Sequence, residues 1–239
     1  MRKKSAFCFL LIASLLGSCN SLREISEEEA LTKLESLEKS LLLGQTPSKY
    51  TVKTTYKNPL KYGEKTINNA LATLLLDEER SFYQVHLEGE SEGLRFFSEL
   101  YFVARNDTEL WELRWESGEG DKQIKTRHEI KGRTFREYIE DALSEKESLY
   151  RDSPKEIIDT ISTLKETSSL SFKGVYKSQN EGDLYITLSY KVENTNAEAS
   201  YSFVDHKLDS KEDNEKATKI LWDECDAIAP QFKDYALIQ

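Results

Sequence analysis

Three cysteines punctuate this 239-residue chain, and only Cys19 stands where a thiol has a defined chemical prospect. Arg2, Lys3 and Lys4 form a basic head, Ala6 to Leu16 is mostly apolar, and Gly17-Ser18 puts small residues directly before Cys19. That order is the layout of a secretory signal with its cleavage site. The apolar run is too short to cross a bilayer, which takes about 20 apolar residues rising ~1.5 Å each. The remaining candidates for chemistry are His86, His128, His206 and Cys225. His86 alternates with Gln84 and Glu88 on a polar strand face, whereas His128 shares its face with Ile124, Thr126 and Ile130. His206 follows Asp205, but neighbours on a strand point to opposite faces, so that carboxylate is not aimed at the ring. Cys225 falls at helical spacing from Leu221 and Ile228, which makes it a buried, inert thiol on the apolar side of a helix.

Gly-x-Ser-x-Gly, a P-loop, a dinucleotide-binding glycine pattern and His-Glu-x-x-His are all missing from the chain. An enzyme would therefore have to place His128 or His206 in a cleft beside a carboxylate. Glu88 to Gly93 and Glu116 to Asp121 are acidic, glycine-containing turns of the kind that supply oxygen ligands. Neither has the Asp-x-Asp-x-Asp-Gly spacing of a calcium loop, so both read as solvated turns and no metal is expected.

Leu16-Gly17-Ser18-Cys19 resembles the lipobox of bacterial lipoproteins. The resemblance covers residues 1–19 and implies that the Cys19 thiol carries diacylglycerol and becomes the first residue of the mature protein. It also implies that Cys8 leaves with the signal. Each buried methylene adds about 0.8 kcal/mol of membrane affinity, and two chains hold stably where one is marginal. The covalent lipid on Cys19 is the only cofactor expected. The location implied is the cell envelope, on the extracytoplasmic side of a bacterial membrane.

The formal net charge is −10, and loss of the signal, which is basic, leaves the rest more acidic still. Phosphate backbones are bound by Lys and Arg, so nucleic acid is excluded as a partner. Acidic character also rules out an electrostatic hold on anionic headgroups, which leaves the acyl chains to hold the membrane. With Cys19 acylated, Cys225 has no disulfide partner, and stability must come from packing. Residues 19–25 form a short tether reaching roughly 20 Å at most, so the body rides close to the bilayer.

Behind that tether, residues 26–239 read as one domain. Capping boxes at Ser26-Glu29, Thr134-Glu137 and Ser153-Glu156 open three helices. Strand patterns run over Tyr50–Tyr56, Ser81–Glu88, Leu94–Arg105, Leu110–Trp115 and Gln123–Ile130, and later over Leu170–Tyr176, Leu184–Val192 and Ala199–Phe203. Thr66 to Leu76 fits both periods, with strand favoured. A last helix is expected from Lys211 to Ala229, stopped by Pro230. Short polar turns between neighbouring strands imply antiparallel pairing, hence an α+β protein: a meander sheet, able to curl into a half-barrel, packed against several helices.

Tyrosine and tryptophan supply apolar area with a polar tip. Tyr101, Trp111, Trp115 and Tyr190 are the candidate ligand-binding residues, with Trp111 and Trp115 flanking Leu113 on one strand face. In architecture and anchoring the layout resembles the half-barrel lipid carriers typified by the LolA and LppX-like families, which implies an apolar pocket. The leading expectation is a non-catalytic module, anchored to the membrane, that binds an envelope component or a protein partner outside the cell. A carrier or sensor of a lipid or another apolar small molecule is the alternative.

Overall fold

The computed structural model describes residues 22–42, 49–106, 109–117, 122–144, 153–168, 170–226 and 230–238. Cys19 and its signal lie outside them. The strands are β1 (Arg23–Glu24), β2 (Lys49–Tyr56), β3 (Leu60–Tyr62), β4 (Lys65–Asp77), β5 (Phe82–Ser91), β6 (Leu94–Asn106), β7 (Glu109–Ser117) and β8 (Gln123–Ile130). After them come β9 (Lys173–Ser178), β10 (Leu184–Val192), β11 (Thr195–Val204), β12 (Lys207–Glu212), β13 (Lys216–Trp222) and β14 (Ala236–Leu237). Helices are α1 (Glu27–Leu42), α2 (Phe135–Ser144) and α3 (Pro154–Thr167).

Strand accounts for 57 % and helix for 19 %, so the expectation of an α+β protein packed against several helices is corrected. The fold is one open, mostly antiparallel sheet of 14 strands, ordered β1-β9-β10-β11-β12-β13-β2-β4-β5-β6-β7-β8-β14, with β3 on β4. Two meanders, β4–β8 and β9–β13, are fused through β2. That strand pairs with β4 on one side and with β13 on the other, Lys216↔Tyr56 through Trp222↔Tyr50. The predicted last helix is the second correction. Residues 211–212 and 216–222 belong to β12 and β13, and Asp213 Oδ1 accepts from the Glu215 and Lys216 amides to close the turn between them. Leu221 and Cys225 matched a helical period, but Thr218 and Ile220 are β-branched and β2 offers a full ladder of partners. Cys225 is buried in irregular chain, with its carbonyl 3.1 Å and its Sγ 3.5 Å from Arg80 Nη2.

All three capping residues work locally. Glu29 N donates to Ser26 Oγ at 3.1 Å, while the Glu29 carboxylate is drawn to Arg23 instead of closing the box. Thr134 with Glu137, and Ser153 with Glu156, form both halves. The ambiguous stretch is strand β4, broken in register between Asn68 and Leu71 where Asn69 takes φ 51°. That irregularity is why its apolar residues fit two periods.

One sheet face carries the helices. Ala30, Leu34 and Leu37 of α1 and Ile157 and Ile161 of α3 cover Leu184, Ile186, Leu188 and Phe203. Each fully buried side chain of this kind contributes about 1.5–3 kcal/mol. Farther along the same face, Phe135 and Ile139 of α2 join Tyr50, Leu76, Phe102 and Ile220. The opposite face carries no described α-helix, only the short 3-10 turn Phe232–Asp234. Both ends of the sheet are blunted by two-residue strands, β1 on β9 and β14 on β8, which occupy edges that would otherwise template another chain.

Candidate functional site

The sheet divides the four candidate aromatics. Tyr101 on β6 and Trp111 and Trp115 on β7 share the face opposite the α-helices, together with Phe82, Val103 and Leu113. Tyr190 on β10 lies on the other face, against the α1–α3 core. The first three are covered by the chain itself. Arg127 Nη1 donates to the Phe232 carbonyl at 2.7 Å, and Phe232 meets Trp111 edge-on at 5.8 Å. Tyr235 is buried against the same cluster, and the Lys125 ammonium sits 4.2 Å from the Trp115 ring centre and 5.6 Å from that of Tyr235. Burial, then the nearby Glu99 and Asp234 charges, pushes the Tyr235 phenol up to about 12. An alternating pattern finds such a face, but only the fold reveals that residues 230–238 fill it.

Beside that cover lies a constellation that alternation alone does not reveal. His86 on β5 pairs with Glu99 on β6, Nδ1 standing 3.0 Å from Glu99 Oε1, and Glu88 Oε2 is 3.8 Å from Nε2. Tyr101 donates its hydroxyl to the other oxygen of Glu99. The contact with Glu99 raises the His86 pKa against the opposing effect of burial, with Glu88 adding to it. Burial works against the Glu99 carboxylate too, yet His86, Tyr101 and Lys125 together hold it below its usual value.

The signs define a window. The His86 contribution is complete below the ordinary histidine value of 6.5 and fades as pH rises through the folded value. The Glu99 contribution is present above the ordinary value of 4.5 and fades as pH falls through the folded one. We therefore expect the stability lost in His86→Gln, read from urea midpoints, to peak between about pH 4.5 and 6.5 and shrink on either side. A difference that stays flat from pH 4 to pH 8 would remove the ion pair from the account. The other histidines are placed differently. His128 Nδ1 is 3.7 Å from Glu112 Oε1, and His206 is exposed in the β11–β12 turn.

Tyr190 opens onto a cleft of about 540 Å³ at the flank of α3, within the range of ordinary ligand sites. Glu156, Asp159 and Thr160 form the helix wall, Tyr190, Ala199 and Tyr201 the floor, and Lys211 and Lys216 the far side. Register explains the grouping. On β10 and β11 the core-facing positions include Tyr190 and Tyr201, and Lys211 lies directly across from Tyr201 on β12. Burial first, then the nearby Tyr190 and Asp213, raises the Tyr201 phenol, which stays a hydrogen-bond donor at neutral pH. Reading from the sequence found Tyr190 but missed Tyr201, Lys216 and Asp159 as its neighbours. The strand alternation held the signal for Tyr201, whereas the two charged residues needed the corrected β13 and the docking of α3.

The reverse side of these strands forms a second, open groove of about 420 Å³. Along it, Tyr185, Ser202, Ser210, Lys219 and Lys53 follow one another across five adjacent strands. No protein-family model matches this chain and no curated protein is detectably similar to it. The class is thus defined by fold and site alone: an open-sheet protein with polar clefts on both faces of one meander.

Proposed function

We propose that this chain is an extracytoplasmic binding module, held to a bacterial membrane by diacylglycerol on Cys19, that receives an envelope component or an extracellular partner. The observation that carries the reading is the cleft beside α3, where Tyr190, Tyr201, Asp159 and Lys216 converge. Its lining mixes phenols with both charge signs, which suits recognition of a polar partner better than transport of an apolar one. Consistent with that, the interface between α1, α3 and the sheet is filled by Leu34, Leu37, Ile157, Ile161, Leu188 and Phe203. The three aromatics on the other face are already occupied by Phe232 and Tyr235, which leaves Tyr190 as the candidate aromatic facing a cleft.

Two experiments test the proposal. A photoreactive benzoylphenylalanine replacing Tyr190 is expected to give discrete cross-linked products in intact cells. The same group at Glu129, exposed on β8, is expected to give none. Equal labelling from both positions, or none from position 190, removes the cleft from the reading. For the anchor, Cys19→Ala is expected to abolish incorporation of labelled palmitate and to release the protein from membranes. Retention of label and membrane association would overturn it.

A further inference from the structure

We infer that the cleft beside α3 takes a short peptide with a free amino group and a free carboxylate, a reading that rests on the proposed binding role of that cleft. Several polar groups around the cleft are already committed. Glu212 is paired with Lys57 at 2.6 Å, and Asp213 Oδ1 is used by two turn amides. One oxygen of Glu156 accepts from the Ser153 amide in the helix cap. What is left over is informative. Among the described residues, the Asp159 carboxylate, the Lys216 ammonium and the hydroxyls of Tyr190 and Tyr201 have no hydrogen-bonding or ion-pair partner, and all four residues line the same cleft.

The two unspent charges are segregated. Asp159 stands on α3, whereas Lys216 comes from β13. A ligand with a cation at one end and an anion at the other satisfies both walls, while a singly charged one leaves a wall unpaired. The two phenols between them offer ring area for a side chain and hydroxyls for amide carbonyls. Length narrows the class. From β10 to β13 is three strand spacings of about 4.8 Å, or roughly 14 Å. The floor alone thus accommodates about four extended residues at ~3.4 Å each, more than a single amino acid needs.

Calorimetric titration of the detergent-solubilised full chain tests this with tetra-alanine, its N-acetyl form and its C-terminal amide. Free tetra-alanine is expected to bind, and capping either end to weaken binding by about tenfold or more, as loss of a charge-assisted hydrogen bond does. Lys216→Glu should abolish discrimination against the amide, Lys216→Arg should keep it, and Asp159→Lys should abolish discrimination against the acetylated form. Equal affinity for all three peptides overturns the assignment. So does a response that neither charge reversal alters. If no peptide binds while position 190 still cross-links in cells, the peptide assignment fails and the cleft reading stands. If cross-linking is lost as well, both fail.

Discussion

Phe203→Ala is expected to lower stability by about 3–5 kcal/mol, the usual cost of truncating a buried phenylalanine in a core that cannot collapse around the void. Phe203 is 1 % exposed and sits among Leu34, Ile157, Ile161 and Leu184, contributed by two helices and a neighbouring strand. Packing from several elements limits how far any one of them can relax. Against a typical total of 5–15 kcal/mol, the loss is a large share. The transition should also stay single. Trp111, Trp115 and Trp222 all lie outside this cluster, so their fluorescence reports on the rest of the sheet. The ladder from Lys216↔Tyr56 to Trp222↔Tyr50 fuses the meanders, and Leu208 packs against both main cores. Circular dichroism and tryptophan emission are therefore expected to shift to the same lower midpoint. An early loss of dichroism with unmoved fluorescence would mean that the meanders unfold separately.

The second large effect is expected from deleting residues 230–239. Removing Phe232 and Tyr235 uncovers Trp111, Trp115 and Leu113, and removing β14 bares the outer edge of β8. Losing the buried Tyr235 ring alone costs on the order of 3 kcal/mol by analogy with other aromatic truncations. The freed β8 edge and the exposed aromatics then form a surface suited to pairing with a second copy. We expect red-shifted tryptophan emission, stronger acrylamide quenching and concentration-dependent association in light scattering. Tyr235→Ala separates the two causes, because it opens the aromatic face while the β14 backbone can still pair. It should reproduce the spectral change with less association. A truncated protein that stays monomeric with unchanged emission would show that the C-terminal segment is not a seal.

How far the chain could be read without its structure depended on the range of the interaction involved. Capping residues act within four positions, so Ser26, Thr134 and Ser153 marked the helix starts directly. Hairpin strands carry their signal in alternation and in a nearby turn, and β5 to β8 and β9 to β11 were visible on that basis. The segment from Lys211 to Trp222 misled, because Leu221, Cys225 and Ile228 fit a helical period. What decides its structure is β2, about 160 residues earlier in the chain, whose ladder no local pattern discloses. The α+β expectation failed for the same reason, since the extra strands and the fusion of two meanders shift the balance to sheet.

The candidate site shows the same division. Alternation placed His86 among polar neighbours, but its partner Glu99 was set by the β5–β6 register. Trp111 and Trp115 shared a face as their spacing implies, whereas Tyr101 joined them through the β6–β7 register, and whether that face was open depended on where Phe232 and Tyr235 landed. Residue types and local periodicity by themselves determined the acidic character, the helix starts and the short-range strands, because those properties depend on side chains within a few positions. Only the tertiary structure decided that two meanders make one sheet, that the C-terminal segment seals one aromatic surface, and that Tyr190 lines one cleft with Asp159 and Lys216. Those outcomes depend on pairing and packing between distant segments, where the gain from burying one face against another outweighs local preference.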